Sequence, residues 1–205
     1  MGDGKLRVDH AVVSGTFSLD GETHDVDNNI WVVGDDEECI VIDAPHEVDA
    51  ILDVVAGRTV KAIVLTHAHD DHSRVAPALR ERVGAPILMH PDDKPIWDLT
   101  HPDLLWDVDL SDEQSLKIAG ASLKVLHTPG HAPGAVCLYV HDLGCVFTGD
   151  TLFQGGPGAT GRSFSDADQI VASIRAKLFR LPEETVVHTG HGDSTTIAKE
   201  IEQLG

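Results

Sequence analysis

The residues best suited to chemistry are concentrated in one short stretch, Thr66-His67-Ala68-His69-Asp70-Asp71-His72. The apolar run directly before it predicts a buried strand, and a turn at the end of a strand can point alternate side chains into one space. His67 and His69 are two residues apart, so we expect them to converge on one metal ion. Asp71 and His72 enter a predicted helix and would point to a neighbouring position. Imidazole and carboxylate favour zinc, iron or manganese over calcium or copper(I), and one loop could serve two ions.

Three further segments repeat this pattern of an apolar strand followed by a polar tip. They are 123–131, 144–150 and 185–192, and each contains a residue able to bind metal. A glycine precedes that residue in each segment, which frees the backbone for close approach at a crowded centre. Four strand ends of this kind are hard to obtain by chance. Together they predict one site built from His67, His69, Asp71, His72, His131, Asp150 and His191.

These motifs resemble those of the metallo-beta-lactamase fold hydrolases. The stretch 67–72 matches the pattern HxHxDH, and the later histidine, aspartate and histidine follow in the same order, so the resemblance covers nearly the whole chain. Within that superfamily, the runs 128–134 and 148–153 are most similar to glyoxalase II and its shorter relatives. The resemblance implies two metal positions. One would be held by His67, His69 and His131, the other by Asp71, His72 and His191, and Asp150 would bridge them.

The resemblance also implies a reaction. We expect two divalent metal ions per chain, with zinc as the first expectation and iron or manganese as alternatives, and a metal-bridging hydroxide as the nucleophile. The expected substrate is an acyl thioester. Asp71 is the expected catalytic residue, because besides binding metal its free oxygen could hold the proton of the bridging water and orient the attack.

Other activities of the same fold stay open. A persulfide dioxygenase branch shares HxHxDH and would use one iron held by His67, His131 and Asp150, a set that suits non-haem iron(II). Hydrolysis of a lactone or another ester is a further alternative. Antibiotic hydrolysis is not expected, because two groups of true beta-lactamases have a cysteine ligand where this chain has Asp150.

The chain departs from glyoxalase II in two places. Only residues 192–205 follow His191, so we expect the helical domain that supplies the glutathione contacts of that enzyme to be missing. The glycine-rich run 155–162 also differs from the usual loop of that enzyme. Arg162, at the end of this run, could bind a substrate carboxylate bidentately or could pair with the acidic surface, and the sequence does not decide between these roles.

The predicted elements alternate between strands and helices. Two sheets with outer helices follow from this order, an α/β (α+β) fold, and the resemblance implies a four-layer αββα sandwich with two mixed sheets in a single domain over residues 1–205. The predicted strands are 7–13, 30–33, 39–43, 61–65, 86–89, 115–118, 122–127, 135–140, 144–148 and 185–188, and the predicted helices are 47–56, 73–83, 167–180 and 194–204.

Composition excludes several classes of partner. There are 34 acidic and 15 basic residues, a net charge of −19, which argues against nucleic acid because phosphate binding depends on clustered lysine and arginine. No stretch approaches the roughly 20 apolar residues of a membrane helix, and the N-terminus lacks the apolar core of an export signal. The three cysteines lie in apolar runs and are expected to be buried thiols in a reducing cytoplasm. We expect a small-molecule substrate, and a homodimer is compatible with the sequence.

Overall fold

The computed structural model describes residues 4–204. Residue 205 and residues 1–3, the start of the N-terminal segment in which no export signal is expected, lie outside the described part of the chain. The strands are β1 (Arg7–Leu19), β2 (Glu22–Gly34), β3 (Glu38–Ile42), β4 (Thr59–Val64), β5 (Ile87–Met89), β6 (Val108–Asp109), β7 (Ser115–Ile118), β8 (Ala121–His127), β9 (Val136–Val140), β10 (Cys145–Gly149), β11 (Leu152–Phe153), β12 (Gly156–Pro157), β13 (Val186–Thr189) and β14 (Thr195–Thr196). The helices are α1 (Val48–Val55), α2 (Asp70–Ser73), α3 (Ala76–Val83), α4 (Lys94–Thr100), α5 (Ala167–Lys177) and α6 (Ile197–Leu204).

Most strands belong to two mixed sheets. The first has the order β1-β2-β3-β4-β5-β6, and the second has the order β14-β13-β10-β9-β8-β7. In the first sheet β1, β2 and β3 pair antiparallel, whereas β3 to β6 pair parallel through crossovers that contain helices. In the second sheet only the β10 and β13 pair is parallel. The prediction of two mixed sheets is therefore confirmed.

The layers follow from the alternation of side chains along the strands. Cys39 and Val41 of β3 pack with apolar residues of α1, α3 and α4 on the outer face of the first sheet. Ile40 and Ile42 point the other way and pack between the two sheets, for example against Phe147 of β10. Residues of α5 and α6 cover the outer face of the second sheet. Because successive side chains of a strand face opposite sides, an unbroken apolar strand has to be covered on both faces, and the result is the predicted four-layer αββα sandwich.

Two parts of the first sheet differ from the sequence prediction. The strands predicted at 7–13 and 30–33 extend into a long hairpin, in which Arg7 pairs with Gly34 and Leu19 with Glu22. Many side chains in the far half of this hairpin are exposed, so the apolar alternation that marks a strand is missing there. Helix α4 was not predicted, because its seven residues include a proline at the start and carry too few apolar positions to show a helical period.

Two predicted helices begin or divide at other places. The helix predicted at 73–83 is split into α2 and α3, and Pro77 lies in the first turn of the second. A proline is tolerated in a first turn but not inside a helix, which explains the division. The helix predicted at 194–204 begins at Ile197, after the short strand β14 has paired with β13.

The cysteines behave as expected for buried thiols. Cys39, Cys137 and Cys145 are free and buried, and burial raises their pKa values to about 11, 11 and 12 respectively. Such thiols carry almost no thiolate at neutral pH and are poor nucleophiles. None of the helices between residues 4 and 204 combines the length and the apolarity that crossing a bilayer requires.

Candidate metal centre

The side chains predicted to bind metal follow four strands that end at one edge of the sandwich. His67 and His69 follow β4, His131 follows β8, Asp150 follows β10 and His191 follows β13. Asp71 and His72 lie in α2, directly after the β4 loop.

Main-chain hydrogen bonds join the two sheets at this edge. The amide of Val136 donates to the carbonyl of Thr66 at 2.8 Å, and the amide of Asn29 donates to the carbonyl of Gly190 at 2.8 Å. The first bond ties β9 to the loop that carries His67, and the second ties β2 to the loop that carries His191. The loops of both sheets are therefore fixed relative to one another.

The structure brings all seven predicted side chains together. Nδ1 of His69 lies 3.1 Å from Nε2 of His131, and Nε2 of His72 lies 3.3 Å from Nε2 of His191. The carboxylate of Asp150 is 3.6 Å from His131 Nε2 and 3.4 Å from His191 Nε2, so it lies between these pairs. Among these seven side chains, three groups have ligand atoms within 4.8 Å of one another: His67, His69 and His131; His67, His72 and Asp150; and Asp71, His72 and His191.

In His72, His131 and His191, the hydrogen bond of the outer ring nitrogen fixes which ring atom faces the centre. Nδ1 of His131 is 2.8 Å from the carbonyl of Ala159, and Nδ1 of His191 is 2.7 Å from the carbonyl of Asp27. Nδ1 of His72 is 2.8 Å from the carboxylate of Asp43. These oxygens can only accept, so each Nδ1 carries the proton and, in the neutral ring, each Nε2 presents a lone pair to the centre.

The donor set fits divalent metal ions. Nε2 of His67, Nε2 of His69 and Oδ1 of Asp150 are buried without a hydrogen-bond partner among residues 4–204. A buried polar atom without a partner is rare and costs about 1–3 kcal/mol. Nitrogen and carboxylate oxygen atoms that face one another without shared protons are the arrangement that a cation stabilises.

The two halves of the cluster differ in their electrostatics. Burial and the neighbouring imidazoles hold the pKa of His67 well below its usual value and lower that of His69 to about 3. Burial also opposes protonation of His191. The negative charge of Asp150 and the hydrogen bonds of His191 to Asp150 and Asp71 outweigh this effect of burial and raise the pKa of His191 to about 10. For His72, the charges of Asp71, Asp150 and Asp43 likewise exceed the effect of burial and raise the pKa well above its usual value. The half that holds the carboxylates attracts positive charge, which a divalent ion can supply.

Asp43 supports this cluster, and the sequence analysis missed it. Its carboxylate accepts hydrogen bonds from the amide of Thr66 at 2.7 Å, from the hydroxyl of Thr66 at 2.8 Å and from Nδ1 of His72 at 2.8 Å. A carboxylate bonded to the outer nitrogen of a histidine fixes its tautomer and orientation. The signal was present, because β3 runs parallel to β4 and Asp43 directly follows its end.

A second buried carboxyl, Asp93, connects two ligand loops. It accepts hydrogen bonds from the amide of Ala68, which lies between the two histidines of the β4 loop, at 2.7 Å, and from the amide of Gly134, which follows His131. The side chain is fully buried, and burial raises its pKa to about 7. This role could not be predicted from the sequence, because Asp93 lies after β5 and far in sequence from His131, and no local pattern shows which loops its carboxylate contacts.

Glycine is required next to the ligands, as the sequence predicted. A Cβ atom on Gly190 would lie 2.3 Å from Oδ1 of Asp150 and 2.8 Å from Cε1 of His72. At Gly149 the backbone has a φ of 49°, and a Cβ atom would lie 2.4 Å from the hydroxyl of Thr66. These distances are too short for any side chain, so the glycines set how closely the ligands approach.

A cavity of about 270 Å³ opens above the cluster. Arg162 lies on its wall, where a guanidinium nitrogen donates to Nε2 of His24 at 3.0 Å and another lies 3.4 Å from the carboxylate of Glu22. The guanidinium also stacks over Phe17, 5.5 Å from the ring centre. The wall is formed by Phe17, His24, Val26, Phe153, Ala159, Arg162, Ser163 and Ser165, and five of the clustered side chains face it: His69, Asp71, His131, Asp150 and His191.

Other residues near the motifs stay outside the centre. His127 stacks on His90 with ring centres 3.9 Å apart, and His188 lies 4.4 Å from Trp31. Trp31 is itself buried and donates from Nε1 to the carbonyl of Thr189, so it belongs to the core between the sheets. Trp97 is fully buried and packs with α4 against the first sheet.

The fold and the site define a metallo-beta-lactamase type of protein, and comparison with known proteins agrees. The family model of the metallo-beta-lactamase superfamily matches residues 25–191. The chain belongs to this superfamily, whose members include metal-dependent hydrolases.

Two relatives match most of the chain. A probable metallo-hydrolase of Bacillus subtilis, YqgX, is 34% identical over 190 residues, which cover 85% of this chain and 90% of that protein. The hydroxyacylglutathione hydrolase GloC of Haemophilus influenzae is 31% identical over 191 residues, which cover 84% of this chain and 89% of that protein. This chain is therefore similar over most of its length to a protein named as a glyoxalase II type enzyme.

Solved structures are similar in fold. The B3 metallo-beta-lactamase BLEG-1 has a TM-score of 0.79 at 31% identity, with coverage of 93% of this chain and 97% of that chain. TTHA1623 in a di-iron-bound form has a TM-score of 0.77 at 32% identity, with coverage of 93% of this chain and 98% of that chain. ETHE1 from Myxococcus xanthus has a TM-score of 0.74 at 28% identity and covers 94% and 83%. The fold is shared by proteins of several names, so the fold alone does not select a substrate.

Replacing Gly190 by alanine tests the crowding of the cluster. We expect Gly190→Ala to bind metal at least about tenfold more weakly, because the new Cβ displaces Asp150 and His72. Metal content after dialysis against a weak chelator measures this. Gly192→Ala is the matched control, because its Cβ would meet nothing within 4 Å and its φ of 69° costs only about 1 kcal/mol of folding stability. Equal metal retention in both variants would contradict the role of Gly190.

Proposed function

We propose that this protein is a dinuclear metal-dependent hydrolase of an acyl thioester. His67, His69 and His131 would hold one ion, Asp71, His72 and His191 the other, and Asp150 would bridge them. The observation that carries the proposal is the presence of two three-residue ligand groups that meet at Asp150. Zinc is the proposed metal. Iron is the first alternative, because a structural relative is described in a di-iron-bound form and the ligand set suits both metals, and manganese is the second.

Two bound divalent ions would supply a water deprotonated near neutral pH and a Lewis acid for the substrate carbonyl. The chain itself would hold the proton and shape the approach of the substrate. Oδ2 of Asp71 lies 3.2 Å from His191 Nε2, within the second ligand group. The contacts of Asp71 with Asn28 and His191 both use Oδ2, and the side chain lines the cavity. Oδ1 is therefore available to accept the proton of the attacking water.

The substrate class is supported by a relative and by the cavity wall. GloC, a protein of similar length, is named a hydroxyacylglutathione hydrolase. The rings of Phe17 and Phe153 offer an apolar wall for an acyl chain, and Arg162 offers the cation for a carboxylate of the thiol part. In the structure this guanidinium pairs with Glu22, and a substrate carboxylate would replace that exposed contact.

The setting of the protein is also part of the proposal. Three unpaired thiols favour a reducing compartment, so we place the enzyme in the cytoplasm. Because both sheets contribute ligands, residues 1–205 would act as one domain. The partner would be a small-molecule thioester or ester, without nucleic acid or membrane.

Metal analysis and a substrate panel together test the proposal. We expect about two equivalents of metal per chain after purification without added metal, and the highest kcat/KM on thioesters among thioesters, oxygen esters, lactones and phosphodiesters. The panel includes a beta-lactam, because one structural relative is a B3 metallo-beta-lactamase. About one equivalent of iron, together with oxygen consumption when a thiol persulfide is added, would contradict the hydrolase. It would support a dioxygenase whose iron is held by His67, His131 and Asp150. Absence of turnover on every substrate of the hydrolysis panel with both metals bound would contradict the proposed hydrolase.

Replacing Asp71 by alanine tests its second role. We expect Asp71→Ala to lower kcat by about 100-fold or more with little change in KM, because a group that holds the transferred proton acts mainly in the transition state. Rates are compared at equal metal content, so that loss of a ligand is not mistaken for loss of a base. Asp70→Ala is the control, because this neighbouring carboxylate binds the amide of Ser18 and pairs with Arg74, away from the ligands. Full turnover in metal-loaded Asp71→Ala would show that the role is wrong.

Replacing Arg162 tests the carboxylate contact. We expect Arg162→Ala to raise KM about tenfold for thioesters whose thiol carries a carboxylate, because a hydrogen bond to a charged group contributes about 1.5–3 kcal/mol. Thioesters of the same acyl group with an uncharged thiol should show little change. Arg82→Ala is a suitable control, because Arg82 is an exposed arginine that contacts Asp49 at 3.5 Å. An equal rise in KM for both kinds of thiol would contradict the carboxylate contact and would show that Arg162 only pairs with Glu22 at the surface.

A further inference from the structure

Asn28 on β2 connects a metal-binding carboxylate to a histidine outside the cluster. It is buried, and its Nδ2 donates to Oδ2 of Asp71 at 3.0 Å and lies 3.5 Å from His72 Nε2. Its Oδ1 lies 2.7 Å from Nε2 of His46. A carboxylate can only accept, so the nitrogen of the amide has to face Asp71 and the oxygen has to face His46. His46 is then the donor, from Nε2–H.

The surroundings hold the ring of His46 in place for this bond. His46 lies between β3 and α1 with a φ of 37°, a conformation that costs energy in a residue other than glycine. The ring packs against Gly15 of β1, where a Cβ atom would lie 2.2 Å from Nδ1 of His46. Nδ1 is buried and has no hydrogen-bond partner within residues 4–204. The strained backbone and the space left by Gly15 thus serve a side chain whose one hydrogen bond goes to Asn28.

We propose that His46 is a positioning residue that acts on Asp71 through Asn28. The hydrogen bond from His46 anchors the oxygen of the Asn28 amide, and the anchored amide holds Oδ2 of Asp71 among the second group of ligands. Without His46, the amide loses this anchor and its nitrogen can move away from the carboxylate. The inference rests on the proposed metal centre and does not depend on the substrate.

The neighbouring asparagine provides an internal comparison. Asn29 has its Oδ1 2.8 Å from Nε2 of His10, so a histidine also fixes its amide. Its Nδ2, however, donates to the main-chain carbonyls of Thr189 and Gly192, each at 2.9 Å, and contacts no proposed ligand. The two pairs have the same chemistry, but only the His46 and Asn28 pair ends on a metal-binding atom.

Titration with Co²⁺, followed by its visible absorption, tests the proposal without any substrate. We expect His46→Ala to weaken the second equivalent of Co²⁺ about tenfold and to leave the first unchanged, since loss of a partner that orients a ligand typically costs 10–100-fold. His46→Gln should restore most of this affinity, because its amide can place a donor near the position of Nε2. With a thioester, kcat should fall in His46→Ala more than KM rises.

A control variant and a second substitution complete the design. His141→Ala is the control, because His141 is exposed directly after β9 and, within residues 4–204, contacts only the hydroxyl of Tyr139 among the bonds of its ring, at 3.3 Å, so both equivalents of Co²⁺ should bind as in the unaltered protein. If His46→Ala does not fold, His46→Phe carries the same test, because it keeps a ring of similar shape beside Gly15 but has no donor for Asn28, and it should also weaken the second equivalent.

Two results would overturn the proposal. One is a second equivalent that binds normally in His46→Ala, or in His46→Phe if that variant has to be used. The other is an equal loss in His46→Ala and His46→Gln, which would show that the ring acts by packing. Failure of thioester hydrolysis in the unaltered protein would refute the proposed substrate, but the Co²⁺ result would still decide the role of His46.

Discussion

The constraint on which this structure depends is the packing of seven histidine and aspartate side chains so closely that their lone pairs face one another. Nε2 of His72 and Nε2 of His191 are 3.3 Å apart, with carboxylates on the same side. Such an arrangement is repulsive unless protons or cations lie between the atoms. The rest of the fold therefore has to hold it from outside, and a metal ion converts the same repulsion into binding energy.

The support comes from many parts of the chain. The outer nitrogens of three histidines bond to oxygens on different segments: His72 to the carboxylate of Asp43 after β3, His131 to the carbonyl of Ala159 after β12 and His191 to the carbonyl of Asp27 in β2. Asp93 adds a bond between the loops that carry His69 and His131. Because these partners lie on the first sheet and on several loops, while the clustered side chains follow strands of both sheets, the positions of these side chains are a property of the whole sandwich rather than of one motif.

This distribution explains what the sequence could and could not predict. The clustering of the seven side chains could be predicted because each follows an apolar strand with a glycine or a histidine repeat, and strand ends are visible as local patterns. The layers were found because apolar alternation is local as well. Asp43, Asn28 and His46 were missed because their partners lie 29, 43 and 18 residues away in sequence, and such contacts depend on strand register and side-chain direction. The outer half of the β1 and β2 hairpin was missed because its polar, exposed strands carry no apolar period.

That outer half of the hairpin carries none of the seven ligands, yet it forms part of the cavity wall through Phe17, His24 and Val26. It is attached to the rest of the domain by side-chain contacts, among them those of Asp20 with the amide of Ser163, of Asp70 with the amide of Ser18 and of Arg162 with Glu22 and His24. Selection for a new substrate can therefore alter this segment in sequence or length without disturbing the reactive centre. The seven clustered side chains and the segment that shapes the cavity wall are thus separate parts of the chain. This separation allows the same cluster to be kept while the substrate changes.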